Sequence, residues 1–223
     1  MSNYRMAIFD LDGTLLDTSE GVLSSVKYTI NLLGLNLPNT EVLESFIGPP
    51  IQNRFRELYD LSDEQITDAA NIFRTHYKDI DLLKAKPYQG IFEVLQKLQK
   101  RNIQIGIATY KRQDYTNTIL HYFGFDKYTN NIVGSDFAGK LTKKDIIMLC
   151  LQRAGINKAN EVLMIGDTQN DAIGADALEI DFLAVKYGFG FKTSEDVAQV
   201  NHVGSVEHAI QILDWFKENE DES

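Results

Sequence analysis

The chain has 223 residues, 43% of them hydrophobic and 24% charged, with 22 basic against 32 acidic side chains and a formal net charge of -10. That length and apolar share suit one substantial core with room for a smaller satellite. The acidic balance argues against sequence-independent binding to nucleic acid or to an anionic membrane, so an anionic ligand would have to meet local positive groups.

The first element is the apolar run "MAIF", Met6 to Phe9, read as a buried strand and followed at once by Asp10, Leu11, Asp12, Gly13 and Thr14. Two like charges about 4 Å apart repel by about 4 kcal/mol at the effective dielectric near a protein surface, so these acids call for a cation or a shared proton. The alternative is a hairpin, because Asp-Gly is a turn signal and Leu15-Leu16 suits a returning strand. An EF-hand counted from Asp10 fails, with Leu15 where glycine is needed and Gly21 where glutamate is needed.

From about Glu20 to Lys84 the pattern is helical, in "GVLSSVKYTINLLGL", "TEVLESFIG", "IQNRFRELYDL" and "SDEQITDAANIFRTHYKDI". After "KPYQG" helices and strands alternate: "IFEVLQKLQKR", then the strand "IQIGIAT", "DYTNTILHYFG", the short strand "NIVG", "KKDIIMLCLQRAG", the strand "EVLMIG", "NDAIGADAL" and the strand "IDFLAV". Such alternation implies a parallel sheet covered on both faces. The expected fold is therefore α/β: a Rossmann-like core from residues 1–16 and 85–223, with an all-helical cap, 17–84, inserted between them.

The single cysteine, Cys150, lies in an apolar helical pattern and reads as a buried small hydrophobe. His76, His121, His202 and His208 have no close metal-ligand spacing. No apolar run approaches the roughly 18 residues of a spanning helix and no signal peptide opens the chain, so a cytoplasmic protein, monomeric or weakly homodimeric, is the default. The acidic end Glu218 to Ser223 reads as solvated and frayed.

Ligands of open α/β sheets bind beyond the carboxyl ends of the strands, and those positions are polar here. The strands end at Asp10, at Thr109 and at Asp167, with Asp171 close behind, and Lys143 opens the helix after "NIVG". Thr109 also suits a turn or cap hydroxyl, and Asp167 a helix N-cap. Thr142 and Asp145 have capping-box spacing, which puts Lys143 and Lys144 in a first turn where the helix dipole disfavours cations; a facing anion would explain a lysine there. Acids, a hydroxyl and an amine at one sheet edge fit phosphoryl chemistry, and hard carboxylate oxygens suit Mg²⁺.

"DLDGT" after a strand, Thr109, Lys143 and "GDTQND" resemble the four motifs of the haloacid dehalogenase-like superfamily, and the helical insertion with "FIGPP" at Phe46 to Pro50 resembles its phosphoglycolate-phosphatase-like branch. The resemblance implies a Mg²⁺-dependent phosphatase for a small phosphorylated substrate. Asp10 would be the nucleophile and Asp12 the acid and base. Asp10, the Asp12 carbonyl and Asp167 would hold Mg²⁺, with Asp171 behind them. Thr109 and Lys143 would bind phosphate, and Gly13, Gly48 and Tyr110 would lie on the substrate side. The sequence departs from many relatives at Tyr110 and at Lys144, where proline is common, which leaves open which lysine reaches the phosphate. A sugar phosphomutase would use the same four stations, and a phosphoacceptor signalling module or non-catalytic interaction protein is the rival of another class.

Overall fold

The computed structural model describes residues 4–137 and 139–216; the acidic end lies outside them. The chain divides into two compact units, Met1–Leu16 with Pro87–Ser223, and Asp17–Lys86. The second crossing falls two positions beyond the one expected from the sequence, at Lys86 rather than Lys84.

Strand β1, Met6–Phe9, is wholly buried. The chain leaves through β2, Leu16–Asp17. It forms the helices α1, Ser19–Leu32, α2, Thr40–Glu44, α3, Ile51–Leu58, and α4, Asp63–His76, and returns through β3, Lys86–Pro87. There follow α5, Ile91–Lys100, β4, Gln104–Arg112, α6, Gln113–Phe123, β5, Ile132–Ser135, and α7, Lys143–Ala154. The last elements are β6, Val162–Gly166, α8, Gln169–Asp176, β7, Asp181–Val185, α9, Ser194–Val197, and β8, Gly204–Val206, before the 3₁₀ turn Ala209–Trp215.

The main sheet has the order β5-β4-β1-β6-β7-β8, with every pair parallel. Its strands read as apolar runs because both faces are covered. Met6, Ile8, Ala108, Val133, Met164 and Phe182 form one core with Ile146, Ile147 and Cys150 of α7 and Ala172 of α8. The alternate residues Ala7, Phe9, Ile105, Ile107, Leu163 and Ile165 are buried on the other face, where α5 packs on β4. From β1 the chain builds β4 and β5 outward on one side, and α7 then carries it to β6 on the other. That reversal puts a crevice at the carboxyl end of β1. The expected α/β class, parallel sheet and helical insertion agree with this architecture.

The segment after β7 is additional to the sequence expectation. β8 is short and polar in pattern, and it fits under Trp215 because Gly204 has no side chain: an added Cβ would lie 2.3 Å from the indole. In the helical unit, Val22, Val26 and Ile30 of α1 are buried at helical spacing, as are Ile66, Ala69 and Ala70 of α4. A buried carboxylate, Asp81, ties this unit's ends together, accepting from Ser25 at 2.8 Å and pairing with Lys84 at 2.7 Å.

Candidate active site

The sheet brings Asp10 next to the end of β6, where its backbone N–H donates to the Ile165 carbonyl at 2.9 Å. Carboxylate oxygens of Asp10, Asp167 and Asp171, all buried, lie within 4.8 Å of one another. Lys143 joins them, its Nζ 2.6 Å from Asp10 Oδ1 and 2.5 Å from Asp171 Oδ1.

The placement of Lys143 follows from helix periodicity. Lys143, Ile146, Ile147 and Cys150 stand at i, i+3, i+4 and i+7 and form the buried face of α7, so the amine is carried inward with the apolar residues. Lys144, one position on, is exposed, which assigns the buried amine to Lys143. The first turn is closed by the expected capping box: Asp145 N–H donates to Thr142 Oγ1 at 3.2 Å and Thr142 N–H to Asp145 Oδ2 at 2.9 Å. On α8, Gly174 leaves room for the lysine stem, since a Cβ there would lie 2.8 Å from Lys143 Cγ. Burial by itself works against the charged amine, but Asp10 and Asp171 hold its pKa above the ordinary lysine value.

Asp171 has both oxygens engaged, one with Lys143 and the other accepting from Thr168 N–H at 3.0 Å and Thr168 Oγ1 at 2.7 Å. Thr168 is therefore the N-cap of α8, and Asp167, for which the cap was an alternative, stands one residue before it. Asp167 is held differently. Its Oδ2 accepts from the N–H groups of Phe189 at 2.7 Å and Gly190 at 3.2 Å, while its Oδ1 is buried with no hydrogen-bond partner. A buried carboxylate oxygen without a donor is costly, and a bound cation would satisfy it. Burial, then Asp171, pushes the Asp167 carboxyl up to about 7 against those two N–H groups. Asp10 is raised well above the carboxylate range by burial, with Asp171, Asp167 and Asp12 adding to it and Lys143 opposing.

The loop "YGFG" after β7 was not singled out by the sequence reading, yet it cradles Asp167. Its signal was a glycine pair just past a strand end. Gly188 is required because a Cβ would sit 2.3 Å from the Gly13 carbonyl, and Gly13 because, at φ +86°, its Cβ would sit 2.2 Å from Asp167 Oδ2. Tyr187 Oη donates to the Thr14 carbonyl at 3.1 Å, tying this loop to the one after β1.

The Asp12 carboxyl is outside the acidic cluster and faces Lys111, with Nζ 3.2 Å from Oδ1. Thr109 is buried and its Oγ1 accepts the Lys111 N–H at 3.1 Å. Tyr110, expected on the substrate side, accepts the Lys143 backbone N–H on its hydroxyl at 2.9 Å and packs against the α7 core. Gly48 belongs to the helical unit, exposed at a φ of 101° between buried Ile47 and the start of α3. Cys150 donates to the Ile107 carbonyl at 3.2 Å and burial pushes its thiol up to about 12, in keeping with a packing role.

Residues 7–185 match the family model of haloacid dehalogenase-like hydrolases. A 5'-nucleotidase of Pseudomonas aeruginosa is 34% identical over 200 residues, covering 89% of this chain and 90% of that one. A phosphoglycolate phosphatase of Agrobacterium fabrum is 28% identical over 190 residues, covering 82% and 81%. Among solved structures, a haloacid dehalogenase-like family hydrolase of Streptococcus pneumoniae superposes with a TM-score of 0.89 at 28% identity, covering 97% of this chain and 100% of that one. Together with the strand-end acids and buried lysine at one sheet edge, these likenesses mean that the chain belongs to the haloacid dehalogenase-like hydrolase family.

Proposed function

We propose that the protein is a Mg²⁺-dependent phosphatase that hydrolyses a small phosphomonoester through a phosphorylated Asp10. The observation that carries this is the Asp167 Oδ1, buried without a donor in a cluster of carboxylates beside a buried lysine. An all-oxygen donor set suits Mg²⁺, which would be held by the Asp10 carboxylate, the Asp12 carbonyl and Asp167, with Asp171 steadying Lys143 behind them. Bound there, the ion would offset the negative charge of the phosphoryl group.

The side chains supply the remaining chemistry. An Asp10 oxygen attacks phosphorus and the ester bond to the leaving oxygen breaks, with Asp12 giving that oxygen its proton. A water then attacks the aspartyl phosphate, Asp12 takes its proton, and phosphate leaves with Asp10 restored. Thr109 and Lys143 hold the phosphoryl oxygens, and Lys143 also favours the ionised, nucleophilic form of Asp10. Residues 17–86, with the Gly48 loop, are assigned to selecting the leaving group, and the enzyme to the cytoplasm as a monomer or weak homodimer. Phosphoglycolate is the leading substrate by resemblance, and the Pseudomonas relative adds nucleoside 5'-monophosphates.

The test is a screen of phosphate esters followed by product analysis, where free phosphate marks hydrolysis and an isomeric phosphate a mutase. Asp10→Asn should lower turnover by several powers of ten, each tenfold being about 1.4 kcal/mol of barrier. Chelation should abolish activity, Mg²⁺ should restore it, and Ca²⁺, with longer and looser coordination, should restore it poorly. Near-normal phosphate release by Asp10→Asn, or full activity in excess chelator, would rule the mechanism out.

A further inference from the structure

Lys111 is a second lysine at this edge whose side chain is largely covered, and the chemistry above leaves it without a role. Its side chain is only 6% exposed, and its ammonium lies 3.2 Å from Asp12 Oδ1. It reaches that place through an irregularity in β4. Ala108 is in register with Val133 of β5 and Arg112 with Ser135, so β4 carries extra residues between these points and bulges. Bulges re-aim side chains. The bulge is held on every side: the Lys111 N–H donates to Thr109 Oγ1, and its carbonyl accepts from Thr116 Oγ1 at 3.0 Å. Gly134 of β5 comes close to it, since a Cβ there would lie 2.6 Å from the Lys111 carbonyl oxygen. Asp12, bridged to Leu16 in the turn after β1, has the Lys111 ammonium among the partners that fix its carboxyl.

We propose that Lys111 is the positioning residue for Asp12, keeping its carboxyl aimed at the leaving-group oxygen; this rests on the phospho-aspartate reading. As the Asp10–phosphorus bond forms and the ester bond breaks, the proton passes from Asp12 to the leaving oxygen, and that transfer needs the carboxyl within hydrogen-bond reach. Lys143 is tied to the nucleophile and Lys111 to the acid, so the two amines serve different carboxylates of the reaction.

A leaving group that needs no proton should make formation of the aspartyl phosphate indifferent to Lys111, whereas the hydrolysis of that intermediate, in which Asp12 takes the water's proton, is common to all esters. With Lys111→Met, kcat/KM, which reports the steps up to departure of the leaving group, should fall by about 100-fold on an alkyl phosphate and by no more than about threefold on p-nitrophenyl phosphate. In an Asp12→Asn background the same substitution should cost nothing further. Lys111→Arg, which keeps the charge, covers the case in which methionine unfolds the chain; it should retain part of the alkyl-ester activity and nearly all of the aryl-ester activity. Equal losses of kcat/KM on the two esters, or losses that add to those of Asp12→Asn, would overturn the proposal. Asp10→Asn, run alongside, separates the two failures: turnover retained there defeats the phospho-aspartate reading itself, whatever the ester dependence at Lys111.

Discussion

Single residues at this site are constrained by what surrounds them as much as by their own chemistry. Gly13 is the sharpest case, because its φ of +86° and the 2.2 Å approach of a Cβ to Asp167 Oδ2 exclude any side chain. Gly13→Ala would displace the carboxylate from the N–H groups of Phe189 and Gly190 and add backbone strain of about 1–3 kcal/mol. The expected outcome is a lower thermal midpoint together with loss of the rise in midpoint on adding Mg²⁺; a variant that still responds fully to Mg²⁺ would contradict this account of Asp167. Asp10, Asp167 and Lys143 were picked out by their positions just past two strands and at a helix start, which the structure reproduces, whereas Thr109, read as a strand end, lies within a strand that runs on to Arg112. Lys111 was not picked out, since the strand was read as ending at Thr109 and "KRQD" looks like an ordinary charged helix entry.

Elements decide where those residues point. Helix α7 buries Lys143 only because the lysine occupies the same face as Ile146, Ile147 and Cys150, and its first turn is pinned by the Thr142 and Asp145 box. Thr142→Ala removes one side of that box and should cost about 1 kcal/mol of stability, read as a lower denaturation midpoint. The ion pairs of Lys143 with Asp10 and Asp171 should hold the amine in place, so KM for the ester should change little. A large rise in KM would mean that the cap, rather than the buried face, sets the lysine's position. The capping box was visible as a spacing, whereas the bulge in β4 was not, because it exists only against the register of β5.

For the whole molecule the consequence is electrostatic. Without a cation, Asp10 and Asp167 have raised pKa values in the folded state, Asp167 to about 7, and the unfolded chain gives up those protons near the ordinary carboxylate range, at about 4. Between these values the folded state binds more protons than the unfolded one, so stability falls as pH rises through that window. In chelator the thermal midpoint should accordingly decline from mildly acidic pH toward pH 8, beyond the trend of a variant with Asp167→Asn. Added Mg²⁺ should raise the midpoint more at pH 8 than at pH 5, because it binds the ionised carboxylates and competes with their protons. A Mg²⁺ effect independent of pH would contradict the cluster as the binding site.

What the sequence determined by itself was local or periodic. The apolar runs ending in acids, the 3.6-residue pattern of α7, the long helical stretch after "DLDGT" and the threonine-to-aspartate capping spacing are all readable within a few turns of chain, because secondary structure answers to nearby residues. The tertiary structure alone decided which groups meet. It put Asp167 against the N–H groups of the loop after β7, left its Oδ1 without a donor, chose Lys143 over Lys144, and turned Lys111 toward Asp12. Those outcomes depend on contacts between strands far apart in sequence and on glycines whose necessity shows only when another backbone approaches, and a one-dimensional pattern carries neither.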